Sequence, residues 1–106
     1  MAKTWKATKS MMTNNGEKLN EHVFWEDFSK TMGEEVLEHM PLFEDFYSND
    51  FDLLSSSCGY NEKAKEVVDK VKNMGYRVVL ATNPVFPKAA TEKRLKWIGL
   101  SPQDFE

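Results

Sequence analysis

Four apolar residues in a row, Val78-Val79-Leu80-Ala81, lie between Gly75-Tyr76-Arg77 and Thr82-Asn83-Pro84, and they constrain the fold more than any other feature. A β-branched run this short, bounded by turn-forming residues, suits a strand buried on both faces of a parallel sheet. It is the one convincing strand signal in 106 residues. A lone strand leaves its backbone N–H and C=O groups unpaired, and a doubly buried one needs a neighbour on each edge. The expectation is an α/β chain, mostly helical as present, whose core piece has one clear strand and is incomplete by itself.

The remainder reads as helix. From Lys3 to about Asn49 apolar residues recur at helical spacing, and Phe24, Phe28 and Met32 share one face. Asn15-Gly16 marks the end of a first helix, and Gly33 ends a second near Thr31. A third begins at Glu34 and is broken or restarted by Pro41, which suits a first helical turn. Ser55-Ser56-Ser57-Cys58-Gly59 is a polar connector. Beyond it, Asn61 is a plausible N-cap for a helix whose apolar stripe is Ala64, Val67, Val68, Val71 and Met74, with Gly75 at its end. After the strand signal, Asn83 to Pro87 forms a loop, Lys88 to Ile98 a helix closed by Gly99, and Ser101-Pro102 a short turn. Residues 1–57 are therefore expected to form a helical region, and 58–106 a partial α/β core of helix, strand, loop and helix.

Charge and cysteine content narrow the function classes. Fourteen basic residues against 17 acidic ones give a net charge of -3, which lacks the electrostatic footprint of a nucleic-acid binder. A single cysteine, Cys58, rules out an intrachain disulfide and points to a reducing, cytoplasmic setting. No apolar run approaches the roughly 20 residues of a membrane span, and Met1 to Met12 lack the apolar stretch of a signal peptide.

The chemistry-bearing stretch is the end of the strand signal. A strand that delivers a hydroxyl, Thr82, and an amide, Asn83, to its carboxyl end, with a new helix just beyond, suits an anionic guest such as a phosphoryl group. The bland alternative is a turn, because Thr and Asn start turns and cap helices wherever they occur. Gly75 to Pro87, continuing through Arg94-Leu95-Lys96-Trp97-Ile98-Gly99-Leu100, resembles the region around the second signature motif of haloacid dehalogenase-like hydrolases, in its Ala-Thr-Asn-Pro-x-Phe-Pro form. Residues 1–57 are similar, more loosely, to the helical cap that these enzymes insert between their first and second motifs.

The resemblance implies a Rossmann-like core and a phosphatase that acts on a small phosphate ester through an aspartyl-phosphate, with Mg²⁺ as cofactor. It assigns Thr82 to holding the phosphoryl group, with Asn83 shaping or joining that contact. It also requires an Asp-x-Asp nucleophile pair at the end of an earlier strand, and a Lys and further acidic residues later in the chain. None of these is found in place, so the chain is expected to be inactive alone. Asp50 and Asp52 have the Asp-x-Asp spacing, but Phe46-Tyr47-Ser48-Asn49 before them close an amphipathic helix. They are expected to be a decoy at the exit of the cap, with Phe51 packing inward. Lys88 and Lys93 are expected on a solvated helix face.

His22 with Glu26, and His39 with Glu35, have the four-residue spacing of half a metal site, and surface electrostatics is the expected role. Cys58 has no placed His partner and reads as a connector residue. The aromatic clusters are expected to form the bundle core, with a wall facing substrate as the alternative. Two further functions stay open: a non-catalytic helical interaction module or degenerate remnant of the same family, and a minimal hydrolase that uses Asp50 and Asp52. Exposed edges of the orphan strand would favour self-association.

Overall fold

Local signals place most of the helix boundaries. In the computed structural model, which describes all 106 residues, helix α1 spans Ala2–Met12 and α2 spans Asn20–Met32. Gly33 stops α2 at φ 107 and ψ 152, a conformation that L side chains rarely adopt. A 3₁₀ stretch, Glu34–His39, then leads into α3, Met40–Ser48, with Pro41 in its first turn. A second 3₁₀ stretch, Asp50–Ser57, replaces the expected irregular connector. Helix α4 is Lys63–Asn73, and the Asn61 side-chain oxygen accepts from the Lys63 N–H at 3.1 Å ahead of it. Gly75, at φ 85, follows its end. Helix α5 is Lys88–Trp97, and a third 3₁₀ turn, Pro102–Asp104, carries a capping box between Ser101 and Asp104.

The strand is absent, and with it the α/β class: the chain is all-helical. Tyr76 to Pro84 has no regular secondary structure. None of the backbone N–H groups from Arg77 to Asn83 finds an acceptor within the chain. One backbone bond reaches the apolar run, from the Glu106 N–H to the Val78 carbonyl at 3.0 Å. The side chain of Glu106 also pairs with Arg77. Val79 is 62% exposed and Leu80 40%. Strand propensity expresses the fit of a side chain to a pleated, half-buried surface, and here no second strand supplies that surface.

Helix α1 packs along α2, where Ala7, Trp25 and Phe28 are buried and Phe24, Val36 and Met40 close around them. A second aromatic cluster joins α3 to α5. Phe51 is buried at its centre, stacked on Trp97 at 5.2 Å between ring centroids, with Tyr47 at 5.3 Å and Phe86 at 6.2 Å. Phe51 thus packs inward as its place between two aspartates predicts. Helix α4 buries no residue: Val67 and Met74 of its apolar stripe are exposed, and its ion pair to the rest of the chain is Lys65 with Asp104 at 2.8 Å.

Only eight of the 106 residues are buried. The radius of gyration is 16.5 Å, against about 13 Å for a close-packed domain of this length. The accessible surface is 8011 Å², against roughly 6,100 Å² for a compact monomer of this mass. The excess, about 1,900 Å², is more than twice the roughly 800 Å² that one partner buries in a standard interface.

Candidate functional site

The Thr82-Asn83-Pro84 loop is held to the helical half by one side chain. The Asn20 amide, at the start of α2, donates to the Asn83 side-chain oxygen and to the Pro84 carbonyl, both at 2.7 Å. Asn20 is itself oriented by Asn14, whose amide donates to it at 2.8 Å. Asn83 therefore spends its oxygen on fixing the loop. The Thr82 hydroxyl is exposed and makes no hydrogen bond within the chain.

Immediately after this loop the chain reaches a cavity of about 520 Å³ between α1, α2, α3 and the start of α5. Phe24, Trp25, Phe43, Tyr47 and Phe86 form much of its wall, so aromatic residues expected in the bundle core also face a cavity. Thr4, Thr8, Glu21 and Glu44 supply polar groups. Val85, Phe86 and Pro87 line it, while Thr82 and Asn83 do not. Burial pushes the Tyr47 phenol above its ordinary value, and the nearby Glu21 carboxylate adds to the effect.

Asp50 and Asp52 lie on the second 3₁₀ stretch, not at the end of a strand. The Asp52 carboxylate pairs with Lys93 and accepts from the Trp97 indole N–H at 3.0 Å. These two bonds, Lys93 first, hold its carboxyl below the usual carboxylate range. Lys93 also donates to the Ser48 carbonyl at 2.6 Å. The Asp50 side chain is exposed and makes no hydrogen bond or ion pair. A lysine and an indole thus occupy Asp52, and its pair geometry is that of a helix-to-helix clasp.

Lys93 corrects the expectation of a solvated helix face, because its side chain is only 16% exposed. Lys88 meets that expectation at 87%. The clasp was not legible because Lys93 and Trp97 stand 41 and 45 residues from Asp52. Their i, i+4 spacing on α5 was the only signal, and it marks many helix faces.

No group of three or more His, Cys, Asp or Glu side chains gathers anywhere in the chain. His22 and His39 are both exposed, and Glu26 is engaged by Lys18 at 2.6 Å. With Asp52 also taken, the carboxylates present do not fit a Mg²⁺ site, which needs several oxygen ligands in near-octahedral array. Cys58 is an exposed free thiol. No helix is long and apolar enough to cross a membrane. No family model, no curated protein and no solved structure matches this chain.

Proposed function

We propose that this chain contributes a helical cap and a phosphoryl-holding loop to a phosphate-ester hydrolase of the haloacid dehalogenase-like type, and that it turns over no ester alone. The observation that carries the proposal is the state of the Thr82-Asn83-Pro84 loop. Asn20 clamps it from the cap helices while the Thr82 hydroxyl is left free to donate to an anion.

What the chain lacks fixes the rest of the proposal. A nucleophilic carboxylate beside Thr82, a lysine to offset charge and the acidic residues for Mg²⁺ would come from another polypeptide segment. Val79, Leu80, Val85 and Phe86, each at least 40% exposed, leave apolar area for such a segment to cover. A cytoplasmic setting belongs to the same proposal and is supported by the exposed, unpaired thiol of Cys58.

The test has two parts. Mg²⁺-dependent hydrolysis of an aryl phosphate by the purified chain should be undetectable, and turnover abolished by Asp50→Asn would refute the proposed inertness. Inorganic phosphate should shift the Thr82 and Asn83 amide resonances at millimolar concentration, and Thr82→Val should remove the shift. Absence of any shift in the parent chain would sink the phosphoryl-holding role.

A non-catalytic interaction module is the second reading, and one observation favours it. Tyr76, Val79 and Leu80 are exposed beside a row of unpaired backbone N–H groups, an apolar surface open to another chain. Its occupant would be a second copy of this chain. Sedimentation should then show a dimer that Val79→Lys dissociates; a monomer at all concentrations would count against it.

A further inference from the structure

We propose that the cavity between α1, α2, α3 and the start of α5 binds a small organic ammonium ion, its cation set among aromatic rings and facing Glu21. The inference is independent of the phosphatase proposal, since none of its residues is assigned to holding phosphate.

Ring geometry comes first. Trp25 meets Phe43 at 5.1 Å between centroids and 86° between planes, and meets Phe24 at 5.4 Å and 85°. The negative π faces of such rings attract a cation, and Phe24, Trp25 and Phe43 all line the cavity. Tyr47 stands on the same wall.

Charge then selects the guest. Glu21 and Glu44 both line the cavity, and neither makes an ion pair or a side-chain hydrogen bond. Glu21 is half-buried. The one lysine on the wall, Lys88, turns outward, its side chain 87% exposed and its ammonium 3.5 Å from Glu92. A purely apolar guest would leave the Glu21 carboxylate desolvated without a partner, which is unfavourable. An anion would meet two carboxylates. An ammonium group satisfies the carboxylate and the aromatic faces together, and its alkyl substituents suit the apolar remainder of the 520 Å³.

The probes are choline chloride and its neutral isostere 3,3-dimethylbutan-1-ol, titrated into the full chain while the Trp25 indole N–H resonance is followed. Choline should shift it saturably, and the isostere should bind about tenfold more weakly, the factor expected for a partly desolvated cation–π site. Glu21→Gln should weaken choline about tenfold and leave the isostere unchanged. Phe43→Leu, at a ring that is 43% exposed and so tolerant of change, should weaken choline and spare the helical signal. Equal affinity for the two probes would overturn the proposal, as would a choline shift no larger than that of matched sodium chloride. An effect of Glu21→Gln on both probes alike would overturn it too.

Discussion

Replacing Phe51 by alanine tests whether the Asp50-Phe51-Asp52 stretch is a packing joint or a catalytic motif. Phe51 is 5% exposed and touches Phe46, Tyr47, Phe86 and Trp97, so its ring ties α3 to α5. Truncating a buried Phe to Ala costs about 3–5 kcal/mol, and the low end applies where neighbours can collapse into the space. Phe46 and Phe86 are 41% and 46% exposed, so they have room to move, and about 3 kcal/mol is expected. Globular chains are stable by about 0.05–0.15 kcal/mol per residue. With eight of 106 residues buried, this one belongs near the lower bound, about 5 kcal/mol. The substitution should therefore remove more than half of the stability and lower the melting temperature by roughly 12–24 °C. Urea and thermal unfolding followed by far-ultraviolet circular dichroism would measure both. Leu53→Ala, at a side chain that is 74% exposed, serves as the control and should change stability by less than about 0.5 kcal/mol. A loss below about 1 kcal/mol for Phe51→Ala would refute the joint.

Asp52 titrates below its ordinary value in the folded chain, through Lys93 first and Trp97 second. Its contribution is therefore present above the unfolded carboxylate pKa and is lost as pH falls through the lower folded one. Asp52→Asn should accordingly flatten the acid limb of an unfolding titration and leave the alkaline limb unchanged. At Gly33, φ 107 with ψ 152 is a glycine-only conformation, and a Cβ there would sit 2.7 Å from the Glu35 carboxylate. The Glu35 side chain can swing away, so the backbone sets the cost of Gly33→Ala, about 1–3 kcal/mol in chemical denaturation. Asn20→Ala removes two bonds to the Asn83-Pro84 loop and should shift the amide resonances of residues 83 and 85–86, with a loss of about 1 kcal/mol in chemical denaturation. Unchanged resonances would show that the loop is held by its apolar contacts alone.

The sequence by itself determined the helices. Apolar spacing set where they run, and local chemistry set where they stop: Gly33 at φ 107 after α2, Gly75 at φ 85 after α4, Pro41 in the first turn of α3. These signals act over a few residues, so they do not depend on what lies across the fold. That Phe51 would turn inward was expected from the sequence, but the Phe86 and Trp97 rings that bury it come from far along the chain. The resemblance in Ala81 to Pro87 was equally legible as sequence.

Only the tertiary structure decided the fate of Val78-Val79-Leu80-Ala81. A strand is a relation between two segments, and no local pattern can state whether the second one is present. Without it the run stays exposed and irregular, bound at its start by Glu106 and at its end by Asn20. The Lys93–Asp52–Trp97 clasp and the aromatic cavity holding Glu21 are relations of the same kind. Each joins residues from helices far apart in the chain, so each exists only once α1, α2, α3 and α5 have taken their places.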